Sequence, residues 1–256
     1  QRIQAAMLPT LNDIHVELPD SFVLFKPRDI VSGDFYWFAT PHKYDESGNS
    51  ITQNKIMLAA VDCTGHGVPG AFMSMIGHSL LDEIVNERGI INPNQILTDL
   101  HAGVRFALRQ QDSQNRDGMD MALVVICKKS NEMYFAGAKN PLVYIQDNEM
   151  HLIKGDSFAI GGEDTKRTYT CHTIDISKPT RFYVYSDGYQ DQFGGPQGKK
   201  FMRKKLRELL FANAHKPMQE QKNILNDTIE NWMAEANERQ IDDILVMGGY
   251  WKGKQL

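Results

Sequence analysis

The apolar positions of this chain follow two rhythms, short unbroken runs and helical stripes, and the two come in blocks. Gln1 to Leu8 (QRIQAAML) places Ile3, Met7 and Leu8 on helical spacing, and Pro9 stops it. Ser21 to Lys26 (SFVLFK) reads as a strand and Pro27 to Ser32 as a loop. Gly33 to Thr40 (GDFYWFAT) is rich in aromatic residues and reads as a second strand. Asp45 to Ser50 is a polar hairpin loop, and the apolar run Ile56 to Val61 forms a third strand ending at Asp62. Two helices follow. Pro69 to Glu87 opens with a proline suited to a first helical turn and carries Phe72, Met75, Ile76, Leu80 and Ile84 on one face; Gly89 closes it. Asn92 to Gln111 carries Ile96, Leu100, Val104 and Leu108.

The rhythm then returns to strands at Met121 to Cys127, Met133 to Ala138, Leu142 to Gln146 and His151 to Lys154. Gly155 to Lys166 is a loop, and Thr168 to Ile176 and Arg181 to Ser186 are two further strands. After a loop from Phe193 to Gly198 come helical stretches at Lys200 to Phe211 and Pro217 to Ala236, then a last strand at Ile244 to Trp251. There is no internal repeat and no linker-like shift in composition, which favours one domain. Hairpin-length connections outnumber crossovers, so the pattern predicts an α+β fold with helices packed on antiparallel sheets.

Composition excludes more than it identifies. A hydrophobic content of 41% and a charged content of 23% are ordinary for a soluble globular protein. A net charge of -4 gives no sign of a nucleic-acid binder or a polybasic membrane surface. The three cysteines are odd in number and far apart, against a disulfide framework or a cysteine zinc site and in favour of a reducing cytoplasm. No stretch is apolar for long enough to span a bilayer, and the start has no signal-peptide pattern. The chain starts with Gln rather than Met. Gln1 to Leu8 therefore reads as the end of a linker helix from an upstream sensor, and 9–256 as the domain itself.

The candidate chemistry lies where strands end. Asp62 and Asp187 each finish an apolar strand and precede a Gly-containing turn, Asp242 begins one, and Asp34 stands between Gly33 and the aromatic strand. Each alone is explained as a turn former, as Asp often is beside Gly. Acids meeting at the ends of core strands are costly unless paired or bound to a cation. With no Cys or His cluster at ligand spacing, that cation is a hard one, Mg or Mn. His66, in Gly-His-Gly, is either a turn residue or a proton donor beside the site, and Lys26 or Arg28 is either solvated or meets a phosphate. Cys63 has no partner pattern that would make it a nucleophile. Phe72, Met73, Met75 and Met121 read as core.

The order Ser32-Gly-Asp-Phe-Tyr, Asp62-Cys-Thr-Gly-His-Gly-Val-Pro-Gly-Ala, Tyr185-Ser-Asp-Gly-Tyr and Asp242-Asp-Ile-Leu-Val resembles the bacterial PP2C-like serine/threonine phosphatases of the SpoIIE/RsbU type. The resemblance runs from about Pro19 to Tyr250. It implies an αββα sandwich of two antiparallel sheets flanked by helices, with a pair of Mn or Mg ions at one edge. It makes Asp62 the bridge between the ions, Cys63 the source of a backbone carbonyl, Asp187 and Asp242 ligands of one ion, and Asp34 a ligand of the other. It makes Asp243 a supporting residue and Asp120, in Gly118-Met-Asp-Met-Ala, a candidate for a weaker third ion. Two positions depart from the family pattern: Cys63 replaces the usual Gly, and Trp37 stands where an acid is frequent.

The implied reaction is hydrolysis of phosphoserine or phosphothreonine on a partner protein, typically an anti-sigma-factor antagonist of the STAS kind, by a water that the ions activate. An upstream sensor and a homodimer are further implications. A metal-dependent phosphoesterase for a small molecule and a degenerate partner-binding domain are the competing readings. The intact set Asp34, Asp62, Asp187 and Asp242 argues against the second of these.

Overall fold

Alternation along each strand sends neighbouring side chains to opposite faces, and here both faces of the central strands are buried. In a computed structural model, residues 2–41, 55–162 and 166–254 are described. The elements are α1 (Arg2–Met7), α2 (Leu11–Glu17), β1 (Ser21–Lys26), β2 (Phe35–Ala39), β3 (Lys55–Cys63), α3 (Gly67–Asp82), α4 (Pro93–Ala107), β4 (Gly118–Cys127), β5 (Glu132–Ala138), β6 (Leu142–Gln146) and β7 (Glu149–Ile153). They continue with β8 (Ile160–Gly161), β9 (His172–Asp175), β10 (Thr180–Tyr185), α5 (Gly188–Asp191), β11 (Phe193–Gly194), β12 (Lys199–Lys200), α6 (Arg203–Asn213), α7 (Met218–Glu235) and β13 (Ile244–Trp251).

One sheet has the order β1-β13-β10-β6-β7; the other runs β2-β3-β4-β5-β9, with β8 paired to β4. Every pairing between these strands is antiparallel. Ile56, Leu58 and Ala60 of β3 meet Phe182, Val184, Leu245 and Met247 in the core between the sheets. Met57, Ala59 and Val61 point the other way, onto Leu81, Ile96, Leu100 and Val104 beneath α3 and α4. Tyr183, Ile244 and Val246 pack on Leu206, Leu225 and Ile229 of α6 and α7. The result is the predicted αββα sandwich, with three apolar layers. Truncating one of these buried Leu, Ile or Met side chains to Ala would cost roughly 2–5 kcal/mol.

Several local expectations change. The buried face of α3 is Gly70, Ala71, Met73, Ser74, Gly77 and Leu81, whereas Phe72 is 63% exposed and Met75 only half buried. The stripe of large side chains was misleading because the small residues let the helix approach its sheet closely. Met73 and Met121 are core, as expected. The end of that helix widens into a π-helical turn at Glu83–Glu87. Of the strand expected over Thr168 to Ile176, only β9 pairs; Tyr169 and Thr170 instead bond to Ala159 and Asp156 of the neighbouring loop. The helix α2 was not anticipated, although its capping box, Thr10 with Asp13, is written in the sequence. The expected hairpin at Asp45 to Ser50 lies outside the described residues. No helix among the described residues is long and apolar enough to cross a membrane.

Candidate active site

The parity that builds the inter-sheet core also delivers its carboxylates. Asp62 continues the Ile56, Leu58, Ala60 face of β3 past the last apolar residue, and the register places it opposite Asp120 of β4. Strand β10 ends beside the start of β13, with Ser186 accepting from the Leu245 amide at 3.1 Å. Asp187 and Asp242 therefore arrive at the same edge. Asp34 immediately precedes β2, which pairs with β3 at Phe35 and Val61. Asp34, Asp62, Asp120, Asp187 and Asp242 all perturb one another's ionisation, directly or through a shared neighbour.

The electrostatics of this edge are one-sided. Burial, then Asp187 and its acidic neighbours, push Asp62 up to about 8. Burial and the Asp62 charge raise Asp34 well above the usual carboxylate range, although the Ser186 hydroxyl favours its ionised form. Asp187, Asp242 and Asp120 are also raised, each chiefly by burial. The Oδ2 atom of Asp34 is buried without a hydrogen-bond partner. Buried, mutually repelling carboxylates with an orphaned oxygen need either protons or a cation. An all-oxygen donor set fits a hard divalent ion. Among the described residues no three acidic, His or Cys side chains close into a finished cage. The remaining ligands of such an ion would come from backbone carbonyls, water or substrate, as is usual for Mg.

Asp243 holds the frame. It is 2% exposed and accepts from the Arg28 amide at 2.7 Å and the Gly33 amide at 2.8 Å, with the Asp34 amide at 3.5 Å. Its own amide donates to Asp242 Oδ1 at 2.9 Å. The second acid of the doublet thus ties the loop before Asp34 to the strand after Asp242. Two close backbone approaches complete the frame. A Cβ on Gly33 would lie 2.4 Å from the Gly65 carbonyl oxygen, and one on Gly188 would lie 1.9 Å from the Asp243 carbonyl oxygen. Both positions require glycine.

Cys63 ends β3 and is not among the residues with positive φ, so its backbone asks for no glycine there. Burial beside Asp34 and Asp62 pushes its thiol well up, away from thiolate chemistry. Trp37 lies in the core beneath α3, and its indole N–H donates to Asp82 at 2.8 Å. His66 has Nδ1 3.2 Å from Asp29 Oδ2 and lines a cavity of about 590 Å³ together with Asp62, Asp120, Asp187 and Asp242.

Lys26 is turned away, bonding Asn226 and Glu230 on α7, and Arg28 donates to the Ile241 carbonyl at 2.9 Å. Neither lines the cavity. The cations that do are Arg116, Lys139 and Arg167, which the sequence reading missed. Lys139 Nζ is 3.1 Å from Asp120. Arg167 donates to the Ala159 carbonyl at 2.7 Å and lies over Phe158. They sit in turns and irregular segments without periodicity, so nothing local marked them.

A family model described as Stage II sporulation protein E (SpoIIE) matches residues 52–248. The chain is similar to the SiaA-PP2C domain of Pseudomonas aeruginosa at 30% identity and a TM-score of 0.83, covering 98% of this chain and 93% of that one. It is similar in fold to the PP2C phosphatase domain of SpoIIE from Bacillus subtilis, solved with a fragment of its regulatory domain, at 16% identity and TM-score 0.66, over 90% of this chain and 62% of that one. RsbX, solved in complex with magnesium, matches at 14% identity and TM-score 0.56, over 90% and 94%. No curated protein sequence matches the chain.

Proposed function

The chain belongs to the SpoIIE family of PP2C-type phosphatase domains, and we propose that it is a metal-dependent protein serine/threonine phosphatase whose ligands are Asp34, Asp62, the Cys63 carbonyl, Asp187 and Asp242. The fold supports serine/threonine phosphatase activity. The observation that carries the metal is the buried, like-charged carboxylate edge with Asp34 Oδ2 left unpaired. Two Mn or Mg ions, when bound, supply a water acidic enough to attack phosphorus and positive charge against the phosphoryl oxygens.

The chain's own residues do the rest. Asp62, next to both the Asp34 and the Asp187 carboxyls, would be the ligand that the two ions share. Asp243 fixes the Asp34 loop through its amide bonds. Lys139, at the cavity wall against Asp120, supplies charge where a phosphoryl group would sit. Asp120 is the candidate ligand of a weaker third ion. His66, oriented by Asp29, would provide the proton that the leaving serine or threonine oxygen takes up.

The proposed substrate is a phosphoserine or phosphothreonine on a STAS-like protein. Residues 1–8 are proposed as the end of a linker helix joining the domain to an upstream sensor, in a chain that can pair as a homodimer. The Gln4 side chain supports that view: its Nε2 donates to the Ser32 carbonyl at 2.6 Å and to Ser74 Oγ at 2.8 Å, and its Oε1 accepts from the Ser32 amide at 3.0 Å. This clasp ties α1 to both α3 and the loop that leads to Asp34.

The test is phosphate release from phosphoserine peptides and from candidate phospho-STAS proteins, in EDTA and with Mn or Mg. Turnover should vanish in chelator, return with either ion, and be abolished in a folded Asp62→Asn variant. Full activity in excess EDTA would sink the proposal.

A further inference from the structure

Beyond the carboxylate edge lies a second cavity, of about 730 Å³, that shares Asp120, Lys139, Ser157 and Asp187 with the first. The two are therefore halves of one trough divided by the Lys139–Asp120 ion pair. The first half sets Asp62, Asp120, Asp187 and Asp242 against Arg116, Lys139 and Arg167; the balance shifts toward cations across that divide. The second half is lined by Lys139, Lys154, Arg203 and Arg207, with Pro141 and Leu152 as apolar surface.

The acids on this side are spoken for. Asp120 pairs with Lys139, and Asp187 belongs to the carboxylate edge. Asp156 accepts the Thr170 amide at 2.7 Å and the Thr170 hydroxyl at 3.0 Å. Among the described residues no carboxylate forms an ion pair with Lys154, Arg203 or Arg207. Lys154 and Arg203 are exposed and Arg207 is half buried. Arg203 and Arg207 lie close enough to Tyr185 to act on it electrostatically. Arg203 is also the first residue of α6, so the positive end of that helix dipole adds to the same field. Leu152 lies on β7, the outer strand of its sheet, with 38% of its surface exposed.

The geometry points to a docking groove for the substrate protein itself: the polypeptide flanking the phosphoresidue carries acidic side chains that lie across Lys154, Arg203 and Arg207, with an apolar side chain against Pro141 and Leu152. This rests on the phosphatase reading above. A phosphoester held at Asp62 and Asp187 lies beside this groove, because Asp187 lines both halves of the trough. Arg203 feels the Asp187 carboxylate without closing an ion pair with it, and cations not held in ion pairs select an acidic neighbour over a basic one and hasten encounter.

The experiment uses a fluorescent phosphoserine peptide in two forms, one with Glu and one with Lys flanking the phosphoserine, together with p-nitrophenyl phosphate as a substrate that has no flanks. Turnover in Mn and binding by anisotropy are both measured. The acidic peptide should show a KM about tenfold lower than the basic one, and the gap should shrink as NaCl is raised. In the Lys154→Glu/Arg207→Glu protein the preference should disappear or invert, while turnover of p-nitrophenyl phosphate stays unchanged. Should Arg207→Glu impair folding, exposed Lys154→Glu alone should still narrow the gap. Equal KM values for the two peptides, or a preference that survives both variants, overturns the groove while leaving the phosphatase intact. Selective binding of the acidic peptide, lost in the variant, without hydrolysis of any probe keeps the groove and overturns the enzymatic reading.

Discussion

Asp243→Asn separates the frame of the site from its chemistry. The Asp243 carboxylate takes two well-formed amide hydrogen bonds, from Arg28 at 2.7 Å and Gly33 at 2.8 Å. The contact to the Asp34 amide, at 3.5 Å, adds little. Hydrogen bonds to a charged acceptor are worth about 1.5–3 kcal/mol each. Asparagine keeps the shape and one acceptor oxygen but turns an NH2 group toward the other amide. One bond is lost and one buried N–H is left unpaired, so the expected loss is about 2–3 kcal/mol, a large part of a typical domain's ~5–15 kcal/mol. Urea unfolding should show a lower midpoint with an unchanged slope. Because the amides held by Asp243 belong to the loop that carries Asp34, the Mn concentration for half-maximal phosphatase activity should rise as well. Turnover at saturating Mn should stay near that of the parent. An unchanged urea midpoint and Mn requirement would refute the framing role. Collapsed turnover at saturating Mn with normal stability would instead place Asp243 in the chemistry.

The metal-free protein should be less stable at pH 8 than at pH 5. Asp62 titrates at about 8 in the folded chain against an ordinary value of 3.8, so the folded state holds the extra proton between these values. Its contribution is complete below about pH 4 and is lost as pH rises through about 8, at up to about 1.4 kcal/mol per pH unit. Thermal melts in EDTA that hold level or rise from pH 5 to 8 would refute this, and Asp62→Asn should flatten the slope. Gly188→Ala drives a Cβ to 1.9 Å from the Asp243 carbonyl oxygen, so the turns carrying Asp187 and Asp242 must part. Turnover should fall about 100-fold, and parent-like kinetics would show that the turn yields freely. Cys63→Gly should keep turnover but lose about 1–2 kcal/mol of stability for the vacated core site and the freer backbone. An inactive but fully stable Cys63→Gly protein would return attention to the thiol.

What the sequence determined by itself is what local chemistry writes. The run into Asp62, the Tyr185-Ser-Asp-Gly turn and the Asp242-Asp doublet each combine a period with a turn residue, and both signals lie within a few positions of one another. They located β3, β10, β13 and four of the acids that the fold gathers. Signals that depend on partners were misread. Phe72 looked like core on α3 because large residues dominate a stripe, yet the buried positions include Gly70 against the Gly33 and Gly65 backbone, Ser74 against Gln4, and Gly77 against Phe35 and Met119. The strand at Thr168 to Ile176 lost its first residues to a loop that only the tertiary structure brings beside it. Lys26 was drawn to α7, about 200 positions later in the chain. The cationic wall of Arg116, Lys139 and Arg167, and the groove of Lys154, Arg203 and Arg207, left no trace in any window. Sheet register decides those neighbours: antiparallel pairing places residues far apart in sequence at one edge, and a lone Lys or Arg in a turn carries no period that says which edge it will meet.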